Sequence, residues 1–289
     1  MRKLHLISGF PRSGSTLLCQ ILNMNPDFHA TQTSPVLDML AAMQSVYSHN
    51  PGYKAVDRIA HYNRFGDAQR NYLEGWYSMD QVIFDKNRGW LFHLMKLDEI
   101  LDNEDTKILW TYRDPLHVIA SMEKHHRNYP LIEHSEDSQP GKPMSSLDGR
   151  MSTWVNENGI VMTPARALID AVNMGHENRI HIIDYKRLCS DTQKVMEEIH
   201  KFLGEPVFEY DKNGFKDLKQ VTHEYDHVYN YKYPHDIVEG KIVYSDPDVA
   251  HLEPYREIIA KRFEFVTKHC QTKLSIENNK RLSRKKRKS

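Results

Sequence analysis

Gly9, Arg12, Ser13, Gly14, Ser15 and Thr16 fall within one short stretch, LHLISGFPRSGSTLLC at Leu4–Cys19, and their types suit one task. The glycines allow a tight backbone turn, the hydroxyls offer hydrogen bonds, and Arg12 brings a cation into the turn. The apolar run Leu4, Leu6, Ile7 precedes them and the helical pattern Leu17, Leu18, Ile21, Leu22 follows, which predicts a strand, a loop and a helix N-terminus. Backbone N–H groups converge at such a junction and the helix dipole favours negative charge, so the stretch reads as an anion site. Gly9, Gly14 and Thr16 occupy the glycine and hydroxyl places of G-x-x-x-x-G-K-[ST], but Ser15 stands where that pattern has lysine. An ATP or GTP phosphotransferase uses that lysine on the β- and γ-phosphates. This loop carries Arg12 inside it instead. A glycine turn with no ligand is the alternative, and the strand-before, helix-after context weighs against it.

The elements that must position this loop alternate between strand and helix. Strand-like runs stand at 3–8, Val82–Phe84, Lys107–Tyr112 and Arg179–Asp184. Helical patterns are read at 14–24, after Pro35, at 56–77, at Leu91–Leu101, from Pro115 to about Asn128, at Thr192–Leu203 closed by Gly204, and at Val249–Cys270. Leu147–Asn173 is largely helical, with Gly159 and Pro164 as interruptions. Asp114-Pro115 supplies an N-cap and a proline for the first helical position. Asn50-Pro51-Gly52 reads as a turn, 129–146 as a long loop, and 221–245 shows no clean period. The order predicts an α/β fold: a P-loop-type parallel sheet flanked by helices on both faces, in a single domain. The loop then lies at the carboxyl end of the first strand, where such sheets bind ligands. Asp85, Lys86, Asn87 and Arg113 also fall at strand ends, on the same rim.

PRSGST ahead of a leucine-rich helix resembles the 5′-phosphosulfate loop of the sulfotransferase family, whose members use 3′-phosphoadenosine 5′-phosphosulfate (PAPS). Thr111-Tyr112-Arg113-Asp114-Pro115, with Val118, Ala120 and Ser121, resembles the family's 3′-phosphate motif. The strand IHIIDYKRL at Ile180–Leu188 places Tyr185 where related enzymes contact the nucleotide. The resemblance covers about residues 1–205 in motif order. It looks nearest to the tyrosylprotein and microbial branch, which has arginine in the loop where the cytosolic branch has lysine. It implies in-line, metal-independent transfer of a sulfuryl group from PAPS to an acceptor hydroxyl or phenol, leaving 3′,5′-adenosine bisphosphate (PAP). It implies that Arg12, Ser13, Gly14, Ser15 and Thr16 hold the 5′-phosphate and that Arg113 and Ser121 hold the 3′-phosphate. Arg12 would also serve as a catalytic cation, and Lys86 as a second on the sulfuryl group. The general base departs from the pattern. His29–Ser34 has no carboxylate where the tyrosylprotein branch carries a glutamate, so Asp85, His29 and His93 are the candidates, and a base from the substrate, or no strong base for an acidic hydroxyl, is the alternative. His125 replaces the arginine four residues after the motif serine, with Lys124 beside it. Lys241 is the candidate for the family's C-terminal lysine.

The chain has 289 residues, 39% of them hydrophobic and 27% charged, which fits one substantial globular core. No apolar run reaches the length of a membrane span, and the N-terminus does not read as a signal peptide. Three widely spaced cysteines, Cys19, Cys189 and Cys270, with no C-x-x-C pair, point to a reducing, cytoplasmic setting and away from a disulfide or zinc framework. No metal-binding motif is present. The 39 basic and 39 acidic residues balance, but residues 280–289 hold seven Lys or Arg and no acid. A sulfotransferase domain at 1–270 is therefore expected to precede a basic, disordered tail at 271–289, either solvated or in contact with anionic surfaces. Two rival classes are a P-loop kinase, which would need lysine at position 15, and a non-catalytic nucleotide- or nucleic-acid-binding module.

Overall fold

The computed structural model describes residues 3–55, 58–77, 80–128, 144–212, 215–216, 218 and 241–286. Five parallel strands form one sheet: β1 (Lys3–Gly9), β2 (Phe28–Ala30), β3 (Val82–Lys86), β4 (Ile108–Tyr112) and β5 (Ile180–Asp184), in the order β2-β3-β1-β4-β5. Among the described residues the helices are α1 (Ser15–Leu22), α2 (Val36–His49), α3 (Pro51–Ala55), α4 (Arg58–Trp76), α5 (Leu94–Leu101), α6 (Pro115–Asn128), α7 (Leu147–Trp154), α8 (Met162–Asn173), α9 (Tyr185–Ser190), α10 (Thr192–Leu203), α11 (Arg256–Arg262) and α12 (Glu264–Lys286).

The strands alternate their side chains between two apolar layers, because successive residues of a strand face opposite sides. Leu4, Leu6, Ile83, Ile108, Trp110 and Ile182 enter one layer, with Leu37 and Leu40 of α2, Ala165 and Leu168 of α8 and Phe263 beyond α11. Ile7, Val82, Phe84, Leu109 and Ile183 enter the other, with Leu18, Ile21 and Leu22 of α1 and Val195 and Ile199 of α10. Helices thus cover both faces, as the strand–helix alternation implies.

β1 lies between β3 and β4, so the chain winds to one side of β1 and then crosses to the other. Such a reversal opens a crevice at the carboxyl ends of the strands. The registers align those ends: Lys86 is level with Ile7, Thr111 with Gly9, and Asp184 with Tyr112.

Asp114 caps α6 as its sequence implies, accepting the Leu116 N–H at 2.8 Å, and Gly204 closes α10 in the left-handed region at φ 75°. Other local expectations need correction. Asn50-Pro51-Gly52 does not form a turn: Pro51 opens α3, where a missing N–H costs nothing. Pro164 sits in the first turn of α8 and does not interrupt it. Leu91–Leu101 is a 3₁₀ turn, Trp90–His93, followed by α5. β2 and α9 are additional elements. The last helix expected over Val249–Cys270 is a 3₁₀ turn at Ala250–Tyr255 followed by α11 and α12. Because α12 continues to Lys286, the expected start of a disordered tail at 271 falls inside a helix. Most of the loop expected at 129–146, and most of 221–245, lies outside the described residues.

Candidate active site

The loop between β1 and α1 owes its shape to three backbone positions. Gly9 has φ 140°, and a Cβ there would stand 2.3 Å from both the carbonyl oxygen and the hydroxyl of Thr111, so only glycine lets β1 and β4 meet. Arg12 adopts φ 57°, a left-handed conformation that is uncommon for a residue with a side chain. Gly14, at φ 86°, is the N-cap of α1 and supplies no side-chain cap, so the first-turn amides face outward without an intrahelical acceptor.

Ser13 differs from expectation. Its hydroxyl donates to the Phe10 carbonyl at 2.6 Å and lies 2.6 Å from the Thr111 hydroxyl, fully buried. It holds the loop closed and is unavailable to a ligand, leaving the backbone of Ser13 and the half-buried Ser15 and Thr16 to line the cradle.

Four side chains from distant parts of the sequence meet at this loop. The Arg12 Nε stands 3.4 Å from the Ser121 hydroxyl of α6. Arg113, just past β4, donates from Nη1 to the Arg12 carbonyl at 3.1 Å and from Nη2 to the Ser245 carbonyl at 2.8 Å. Its guanidinium lies over the Tyr185 ring, 4.8 Å from the centroid, and its Nε is buried with no hydrogen-bond partner. Tyr185 in turn packs on the loop: a Cβ at Gly14 would come within 2.4 Å of its ring. Burial pushes the Tyr185 hydroxyl up to about 12, so it stays neutral beneath the arginine. From β3, Lys86 donates from Nζ to the Thr16 hydroxyl at 3.0 Å, while its backbone N–H donates to the Thr31 hydroxyl at 3.1 Å.

Asp85 is corrected. It neighbours Lys86 in a strand, so the pleat sends the two to opposite faces: Lys86 towards α1, Asp85 into the layer of Tyr77 and Trp90. Asp85 is fully buried, and its carboxylate oxygens accept from the Tyr77 hydroxyl and the Trp90 indole N–H. Burial raises its pKa, against the hydrogen bonds of Ser34, Tyr77, Trp90 and Thr31. A carboxyl sealed this way anchors the 31–34 segment to the sheet and does not reach an acceptor. His29 is half-buried in β2. His93 lines a separate cleft among α2, α4 and α5, and Lys124 and Lys241 are exposed.

Three features of the site have no expectation behind them. Residues 244–246 close over its edge: Tyr244 packs against Tyr185 at 5.5 Å, Ser245 binds Arg113, and Asp246 pairs with His117 of α6 at 3.2 Å. Thr31 ties the end of β2 to Lys86. The buried Glu123, two residues past Ser121, takes two hydrogen bonds from Arg150 of α7 at 2.7 Å each and one from Arg127 at 2.6 Å, locking α6 in place.

The sulfotransferase family model matches residues 6–209, well over half the chain. No curated protein matches the sequence. Solved structures with the same fold include a sulfotransferase domain from the curacin biosynthetic pathway, 14% identical with a TM-score of 0.51 and covering 91% of this chain and 98% of its own. The sulfotransferase domain of the Synechococcus PCC 7002 olefin synthase is 17% identical, with a TM-score of 0.47, covering 92% of this chain and 94% of its own. Mouse sulfotransferase SULT7A1, solved in complex with PAP, is 14% identical with a TM-score of 0.49, covering 94% of this chain and 89% of its own.

Proposed function

The chain belongs to the sulfotransferase family, and we propose that its site passes the sulfuryl group of PAPS to an acceptor hydroxyl or phenol in one in-line, metal-independent step. The observation that supports this most is the meeting of Arg12, Ser121, Arg113 and Tyr185 around Gly14, with Lys86 arriving from β3 onto Thr16. The residues suit a nucleotide with phosphates at both ends. Outward first-turn amides and the hydroxyls of Ser15 and Thr16 receive the 5′ end. The unpaired Arg113 Nε and the Ser121 hydroxyl receive the 3′-phosphate. When bound, PAPS supplies an activated sulfur whose bond to the bridging oxygen breaks as the acceptor oxygen attacks.

Arg12 presents a planar fork that binds two oxygens at once, and its left-handed backbone turns that fork to the α6 side of the loop. Lys86 approaches from the β3 side. Two cations held in advance at opposite sides of one cradle stabilise charge without reorganising as it develops. Asp85 is sealed away from the rim, so the acceptor's own acidity carries more of the deprotonation. This favours a phenol over an aliphatic alcohol. Calorimetric titration with PAP, AMP and ATP, each with and without Mg²⁺, tests the reading. PAP is expected to bind without metal and far more tightly than AMP. Tight Mg·ATP binding with weak PAP binding would overturn it.

A further inference from the structure

A cleft of about 250 Å³ opens among α2, α4 and α5, within the apolar layer that Trp90 shares and on the opposite face of the sheet from Lys86. Leu40, Trp90, Leu97 and Ile100 make it apolar. Ser45, Ser48, His49 and His93 line it from exposed positions, and one polar residue of the lining is fully buried. Gln69 of α4 is 1% exposed, and neither its amide nitrogen nor its amide oxygen has a hydrogen-bond partner. Gln44 of α2, which also borders the cleft, donates to Ser48 at 3.2 Å, yet its buried amide oxygen is unpartnered too. Buried polar side chains in folded proteins are nearly always paired, with protein, water or ligand. A leucine would satisfy the packing at position 69 without stranding a donor and an acceptor.

We propose that this cleft is a small-molecule binding site. Its ligand has an apolar body of about two fused rings and carries one group that both donates and accepts hydrogen bonds: a carboxamide, a protonated acid or a hydroxyl. The size follows from volume, since a cavity of about 150 Å³ accommodates one benzene ring and this cleft is larger by roughly two-thirds. The polar group follows from Gln69, whose amide presents a donor and an acceptor side by side and is matched by a partner with the reverse pair. Ala41 and Ser45 of α2 line the cleft and are exposed, so it reaches the surface along α2. The inference stands on the cleft alone and is independent of the transfer reaction.

2-Naphthamide has the required body and group, and 2-methylnaphthalene has the body alone. Both are titrated into the full-length protein by ligand-observed NMR, with thermal melting as the control for folding. The wild type is expected to bind both saturably at one site. Gln69→Leu is expected to weaken 2-naphthamide about five- to tenfold, the loss of a neutral hydrogen-bonded contact, while leaving 2-methylnaphthalene unchanged or tighter. Ala41→Trp, a substitution at an exposed helical position, fills the mouth and is expected to abolish both. Absence of saturable binding to the wild type overturns the proposal. So does binding that neither substitution alters, or an equal loss of both probes in a folded Gln69→Leu protein. PAP titration on the same samples keeps the two readings apart, since a failure of PAP to bind counts against sulfuryl transfer and not against the cleft.

Discussion

Lys86→Ala separates an interaction made in the transition state from one made with a bound ligand. Lys86 ends β3 level with Ile7, and its ammonium sits 3.0 Å from the Thr16 hydroxyl in the first turn of α1. A preorganised donor aimed where charge develops is worth about 10²–10³ in rate, or roughly 2.7–4 kcal/mol. A charged hydrogen bond to a ground-state phosphate is worth about 1.5–3 kcal/mol. The ranges overlap, so the magnitude alone does not decide. The distribution does, because a contact that strengthens only in the transition state appears in the chemical step and not in product affinity. Lys86→Ala is therefore expected to lower single-turnover sulfuryl transfer about 10²–10³-fold and to change PAP affinity by less than about threefold. Lys86→Met keeps the aliphatic stem against α1 and removes only the ammonium, so it should match alanine and exclude lost packing as the cause. Thr16→Val leaves the ammonium but removes the oxygen that holds it, and a loss of roughly tenfold is expected, one charged hydrogen bond at the weak end of its range. Rapid-quench measurements with enzyme in excess, beside calorimetric PAP titration, give both quantities on each variant. Near-native transfer in Lys86→Met refutes the catalytic role. A fall in PAP affinity as large as the fall in rate assigns the lysine to ligand binding instead.

Arg113→Ala should weaken PAP roughly 10- to 150-fold, the worth of a charge-assisted phosphate contact. AMP should weaken by no more than about tenfold, because Arg113 also braces the Arg12 carbonyl; equal losses in parallel titrations would place Arg113 in support of the loop and not on the 3′-phosphate. For Asp85, burial raises the carboxyl above the ordinary carboxylate range, so between the ordinary value and the raised one the folded chain holds a proton that the unfolded chain does not, and stability falls as pH rises through this window. Asp85→Asn mimics the protonated form: its melting temperature at pH 7 should equal or exceed wild type and lose that slope, with transfer retained, and a loss of transfer in a folded variant would restore Asp85 as a base. Burial pushes the Glu123 carboxyl up, but the hydrogen bonds and charges of Arg150 and Arg127 outweigh it and the net shift is downward, so this stabilisation is present above the ordinary carboxylate range and is lost as pH falls through the lowered value. Glu123→Gln strands the buried Arg150 at a cost of about 3–5 kcal/mol, lowering the melting temperature on the order of 10 °C; an unchanged melt at pH 7 would show that the pair contributes nothing net.

How far the sequence reveals this site depends on the range of each interaction. The phosphate loop is legible because its causes are local: glycines at Gly9 and Gly14 where the backbone must turn left-handed, and a leucine pattern that starts a helix one residue later. The meeting of Arg12 with Ser121 and of Arg113 with Tyr185 is legible only in outline, since strand–helix alternation brings strand ends to one rim but does not orient a guanidinium. Ser13 illustrates the limit, because a hydroxyl beside a phosphate loop looks the same in sequence whether it faces the ligand or, as here, the Phe10 carbonyl. The Ser245 carbonyl on Arg113 leaves no mark at all, being a backbone group in a stretch without periodicity. The strand β2, three residues long, is too short for alternation to show. The basic end reads as a tail by charge, yet Lys and Arg are good helix formers, and α12 runs on through them from an apolar anchor at Val266 and Cys270.

Asp85 and Lys86 carry the most consequential of these lessons. With the strand expected to stop at Phe84, both residues fall in a loop and can share one site. β3 runs on through Lys86, and a period of two then forbids it. A strand longer by two residues thus separates a cation from its supposed base. Lys86 stays at the rim on the Thr16 hydroxyl, where the proposed transfer uses it to stabilise charge on the group in transit. Asp85 turns inward to Tyr77 and Trp90, where a raised pKa and two donors make it a structural anchor. With Asp85 withdrawn, more of the proton removal in the proposed transfer falls to the acceptor's own acidity. A phenol loses its proton near pH 10, several units below an aliphatic alcohol, so an enzyme with this division of labour should transfer to phenols much faster than to alcohols of the same shape. Comparable rates for a matched phenol and benzylic alcohol would mean that a general base is present at the rim after all.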